Sequence, residues 1–157
     1  MSTLDTQAQT AMQNLLNYDE TQLYQQLGMR QKMLETDPAK AGSFDVQLTD
    51  EEVSLMGVND VMADFGKRLY RRWHVEAYKL ICGAEGEDEE DRKKLAEAFG
   101  TNQMMVGAAL AAFLVSNLGL APVIAAVIAA IAIKRFFRPG YEEFCKVWKK
   151  NLPQLDE

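Results

Sequence analysis

The sequence is poor in the residues that carry chemistry. It has one histidine, two cysteines, four prolines and four serines among 157 residues. Cys82 and Cys145 stand alone and far apart, with no C-x-x-C and no Cys/His pair, so no metal site is expected. Two cysteines in a chain of this length also exclude a disulfide-stapled miniprotein. No serine sits in a nucleophile elbow, and no P-loop, G-x-G-x-x-G or H-E-x-x-H pattern occurs. Catalysis needs a positioned nucleophile, base or metal. Neither a catalytic residue nor a cofactor is therefore expected. Positive charge is short as well. Seventeen Lys and Arg face 23 Asp and Glu, a net charge of -6, which excludes a generally basic nucleic-acid binder. Period-2 runs and Asn-Gly or Asp-Gly hairpin turns are missing too, so strands are not expected.

What remains is helical. Apolar residues make up 48% and charged residues 25% of the chain, the composition of a folded protein. At this length a single domain over 1–157 buries about 70% of the surface its unfolded chain exposes. The start, Met1-Ser2-Thr3-Leu4-Asp5, has neither a basic nor an apolar leader, so a cytoplasmic location is expected. Cys82 and Cys145 are then expected to stay reduced, as buried and inert thiols.

Residues 1–36 read as a pair of helices. Asp19 with Gln22 three residues on marks the start of the second, which Thr36-Asp37-Pro38 ends. Residues 37–48 read as a loop. Residues 49–100 read as amphipathic helices. Thr49 and Glu52 form a capping box, and a long helix follows from Asn59 or Asp60 to about Cys82. Its apolar line is Val61, Phe65, Leu69, Trp73, Ala77 and Leu80. The run Glu85 to Asp91 holds six acids in seven residues. It lacks the ligand spacing of a calcium loop and reads as a solvated helix start.

The strongest local feature is an absence of charge. From Ala98 to Ile133, 36 residues carry none. Gly119 and Pro122 punctuate the run, giving two helices and a tight turn within an apolar hairpin over 101–138. Val106, Leu110, Phe113 and Leu114 form a bulky face on the first arm, and Ile124, Val127, Ile128 and Ile131 on the second. The small faces, Gly107, Ala108, Ala111 and Ala112 against Ala125, Ala126, Ala129 and Ala130, are expected to pack together and turn the bulky ones outward. Each apolar arm is roughly 21 Å long, whereas a bilayer core needs about 30 Å. The expectation is an all-α bundle of about seven helices around this Ala/Ile-rich hairpin.

An Ala-rich apolar hairpin sheathed by amphipathic helices resembles the pore-forming domain of colicins. The resemblance covers about 36 of the 157 residues and lies in composition and order. It carries no family motif, so it assigns no functional residue. It implies a hairpin that is sheltered in solution and enters a bilayer.

A last amphipathic helix is expected over 141–152. With the hairpin end it contributes a basic collar, Lys134, Arg135, Arg138, Lys149 and Lys150, suited to an anionic membrane surface or to pairing with the acidic run. His74 and Glu76 point roughly 200° apart on a helix and do not converge. His74 is instead a candidate pH-sensitive latch, since an imidazole changes charge between about pH 5 and 8. The functional expectation is a non-catalytic interaction or regulatory protein, binding a protein partner or itself. The alternative is a membrane-active effector whose hairpin inserts, peripheral to the membrane until released. Neither nucleic acid nor a small-molecule substrate is expected.

Overall fold

The computed structural model of the chain describes residues 3–42, 59–82, 93, 95, 97–99, 101–137 and 140–150. Among these residues there are six α-helices, one 3-10 turn and no strand. The helices are α1 (Thr3–Leu15), α2 (Glu20–Thr36), α3 (Asn59–Cys82), α4 (Gln103–Leu118), α5 (Pro122–Phe136) and α6 (Tyr141–Lys150). The 3-10 turn (Pro38–Gly42) lies in the segment expected to be loop and packs against α2 and α5. The Thr49–Glu52 capping box and the acidic run from Glu85 to Asp91 lie outside the described residues.

Local signals set the helix ends. The Asp19 side chain accepts from the Gln22 backbone at 2.7 Å, and the Gln22 side chain accepts from the Asp19 backbone at 2.9 Å. This capping box satisfies two backbone donors that would otherwise be orphaned at the start of α2. Asn102 caps α4 by accepting from the Met105 N–H at 3.0 Å. Gly119 ends it in the left-handed region at φ 67°, where a side chain is strained. Pro122 opens α5 in the first turn, where its missing N–H costs nothing.

Helix α5 is the hub. Every side chain from Val123 to Ile133 is buried. It touches all five other helices and the 3-10 turn. A helix apolar all round has to be surrounded by apolar atoms, and here those atoms are the chain's own. Helix α1 offers Ala8, Ala11, Met12 and Leu15, a helical stripe of fully buried residues, and packs chiefly on α4. Helix α2 lies between α3 and α5.

The α2–α3 crossing is very close. A Cβ on Gly66 would overlap the Tyr24 carbonyl, and one on Gly28 would overlap the Met62 carbonyl. These glycines cost roughly 1 kcal/mol each in helix propensity, and the crossing explains their presence. They also rotate α3. Its buried face is Met62, Ala63, Gly66, Tyr70, His74 and Ala77. Most of the expected apolar line falls on the shoulder instead: Phe65, Leu69 and Trp73 are half-buried and Val61 is 56% exposed, while Ala77 is in the core as expected. Aromatic rings at that shoulder are covered by cations, Lys32 lying 5.1 Å from the Phe65 centroid and Arg72 5.4 Å from that of Trp73.

Candidate functional site

The eight bulky hairpin residues are all buried: Val106, Leu110, Phe113 and Leu114 on α4, and Ile124, Val127, Ile128 and Ile131 on α5. They form one hydrophobic core with α1, α2, α3 and α6. The expected face-to-face packing of small residues needs correction at Gly107. There the small face of α4 receives the Met12 side chain of α1, and an added Cβ would lie 2.6 Å from Met12 Cγ. The sheath therefore enters the hairpin surface instead of lying over it. Among the described residues, no helix is long and apolar enough to cross a membrane.

Polar ties hold α2 along α5. The buried Arg30 donates from Nη1 to the Val123 carbonyl at 3.0 Å. At the other end of α5, Arg135 Nε lies 3.3 Å from Glu20 Oε1, and Arg135 Nη1 donates to the Tyr24 hydroxyl at 3.1 Å. The Tyr24 hydroxyl donates in turn to Glu20 at 3.1 Å. These pairings make α2 and α5 antiparallel. They also take Arg135 out of the basic collar and turn it inward. Lys134, Lys149 and Lys150 are exposed, and Arg138 lies outside the described residues.

His74 is buried, with only 2% of its surface exposed. It stacks on Tyr70 at 4.7 Å, and its Nδ1 accepts from the Trp148 indole at 3.3 Å. An indole N–H only donates, so this bond leaves the proton of the neutral ring on Nε2. Burial, reinforced by the nearby Arg135 and Arg71 charges, pushes the His74 pKa down to about 4. The folded protein thus holds it neutral across the window in which a free imidazole would switch.

Beside this pair lies a cavity of about 400 Å³, lined by Glu20, Tyr24, Lys67, Tyr70, Arg71, His74 and Arg135. Its size falls within the roughly 300–1,000 Å³ of small-molecule sites. Three chain segments build it: the start of α2, the middle of α3 and the end of α5. Lys67, Arg71 and His74 share one stripe of α3, since steps of three and four residues return to the same side. Tyr70 forms the inner wall. Its hydroxyl is buried without a hydrogen-bond partner among the described residues. Burial pushes its pKa far up, so it is a neutral O–H donor. An unpaired buried hydroxyl costs about 1–3 kcal/mol. Sequence reading identified His74 and Arg135 separately but missed Glu20, Tyr24 and Tyr70. The available signal was the polar stripe of Lys67, Arg71 and His74 on α3, on a different face from the expected apolar line.

The expectation of reduced cysteines is overturned. Cys82 and Cys145 form a disulfide, with Cα atoms 5.7 Å apart, that ties α6 to the end of α3. Spacing of 63 residues hid this pairing. The antiparallel run of α3 against α6 produces it. One to two turns back from Cys82, Tyr78 meets Trp148 edge-on at 5.8 Å and His74 accepts the indole hydrogen bond. Trp148 also packs against Phe136 and Phe144, closing the aromatic end of the core. Among the described residues, no three His, Cys, Asp or Glu side chains gather as metal ligands. No protein-family model, no curated protein and no solved structure matches the chain.

Proposed function

We propose that this chain is a non-catalytic helical interaction or regulatory protein, acting through its outer surface around a hairpin that serves as its core. One observation carries the reading. The eight bulky hairpin residues are buried under the protein's own helices, and the sheath interlocks with the hairpin at Met12 and Gly107. The partner surface is the shoulder of α3, where Val61, Phe65, Arg68 and Arg72 share a stripe away from the polar cavity. Arg68 and Arg72 are exposed, and Val61 is the large apolar side chain left open there. A basic stripe with an apolar end suits an acidic amphipathic helix, whether from another protein or a second copy of the chain. The disulfide also bears on location. Disulfides persist in oxidising surroundings, so this reading does not depend on a cytoplasmic setting.

Light scattering and dye release from phosphatidylcholine–phosphatidylglycerol vesicles, at neutral and mildly acid pH, test the proposal. The expected result is a folded protein that leaves the vesicles sealed. Release that scales with protein and disappears when a charge replaces Ile128 would overturn it in favour of hairpin insertion.

A further inference from the structure

The cavity beside Tyr70 has a chemistry that the surface reading does not use. Its wall is rich in donors. Lys67 and Arg71 stand exposed on its α3 side, and Arg135 faces them from α5. One carboxylate, Glu20, opposes these three cations and is already engaged by Arg135 and the Tyr24 hydroxyl. Deeper in, Tyr70 carries a hydroxyl with no partner among the described residues. His74 presents a protonated Nε2, because Trp148 occupies Nδ1. Among the described lining residues, three positive charges against one negative leave two in excess, the charge complement of a dianion.

We propose that this cavity binds a small phosphate monoester, its dianionic head received by Lys67, Arg71 and Arg135 with the Tyr70 hydroxyl as the buried donor. Charge-assisted hydrogen bonds from guanidinium groups are the strong ones, and they match phosphate geometry. The Tyr70 hydroxyl, without a hydrogen-bond partner among the described residues, would gain an acceptor from the ligand. The neutral His74 adds a donor without adding charge. The volume leaves room for an organic body beside the head group, against the aromatic wall of Tyr24 and Tyr70. A free phosphorylated metabolite and the exposed phosphate of phosphatidic acid share this chemistry.

The test is calorimetric titration of the intact, oxidised protein with glycerol 1-phosphate and with inorganic phosphate at low salt. It is paired with flotation on phosphatidylcholine vesicles containing either phosphatidic acid or phosphatidylglycerol. Saturable one-to-one binding is expected, weakening as salt is added. Tyr70→Phe is the decisive variant. It should leave thermal stability unchanged or raised, because it deletes an unpaired hydroxyl, while weakening binding about tenfold. A merely structural tyrosine would show the reverse, lost stability with intact binding. Lys67→Gln and Arg71→Gln change exposed side chains and should each weaken binding severalfold in a folded protein. Binding of the soluble ester without flotation assigns a metabolite. Flotation on phosphatidic acid over phosphatidylglycerol, competed by the soluble ester, assigns the lipid head group. No saturable binding in either arm, or binding that all three variants leave unchanged, would overturn the proposal.

Discussion

Acidification should destabilise this protein through His74, by an amount that can be worked out. The folded-state pKa is lowered to about 4 against 6.5 for a free imidazole. Between those values the unfolded chain binds a proton that the folded chain refuses. Stability therefore falls as pH falls, by up to about 1.4 kcal/mol per pH unit in that interval. The contribution is fully present above the unfolded value and is lost as pH drops toward the folded one. From about pH 7 to about pH 4.5 the loss from this one group is about 2 kcal/mol, a large fraction of a typical stability of roughly 5–15 kcal/mol. Carboxylates titrate too, so the measurement has to be differential. His74→Gln removes the titration and keeps an acceptor for the Trp148 indole. Urea unfolding followed by far-UV circular dichroism, on both proteins at both pH values, isolates the effect. The advantage of the parent over the variant should shrink by about 2 kcal/mol on acidification. An offset that is the same at both pH values would refute the reasoning, because a group that stays buried and neutral has to produce the slope.

Three further outcomes follow from packing. Reducing the Cys82–Cys145 bond, or replacing both cysteines by serine, opens a loop closed across 63 residues; chain-entropy arguments put the loss near 4 kcal/mol, read as a shifted urea midpoint. Gly66→Ala should cost about 1–3 kcal/mol although alanine favours helix, because its Cβ meets the Tyr24 carbonyl and the α2–α3 crossing must open. Gly42→Ala, in open space, should stay within about 0.5 kcal/mol of the parent, and equal effects at both glycines would contradict the crossing. Ala126→Asp places a carboxylate at a fully buried position of the hub helix and should cost on the order of 4 kcal/mol or prevent folding, as judged by circular dichroism.

The legible parts of this fold are those written in neighbouring residues. Asp19 with Gln22, Gly119 and Pro122 each act within one helical turn, so their helix ends could be read directly. The charge-free hairpin announced itself because burial of a whole helix leaves no room for a charge. The face of α3 was misjudged by one position. Hydrophobic periodicity weighs side chains, and that crossing is made by residues without one, Gly28 and Gly66. The cavity and the disulfide were invisible for another reason. Arg135 meets Tyr24 across 111 residues, and Cys145 meets Cys82 across 63, so chain reversals and not local pattern bring them together. His74 stood out as the lone imidazole. Its state depends on Trp148 and Arg135 from other helices, which no local window contains, as well as on Arg71 one turn back.

The close crossings carry a consequence for recognising distant kin. Two helical glycines, Gly28 and Gly66, each face a backbone carbonyl of the neighbouring helix, and neither serves a turn. Core positions elsewhere can trade isoleucine for leucine or valine with little loss, so apolar identity drifts and overall similarity fades quickly. A position that excludes even a methyl group cannot drift that way. Chains built on this plan should therefore keep a sparse signature long after the rest has diverged: two interior glycines on the helices flanking the core, and the Gly-x-x-Pro turn inside a charge-free hairpin.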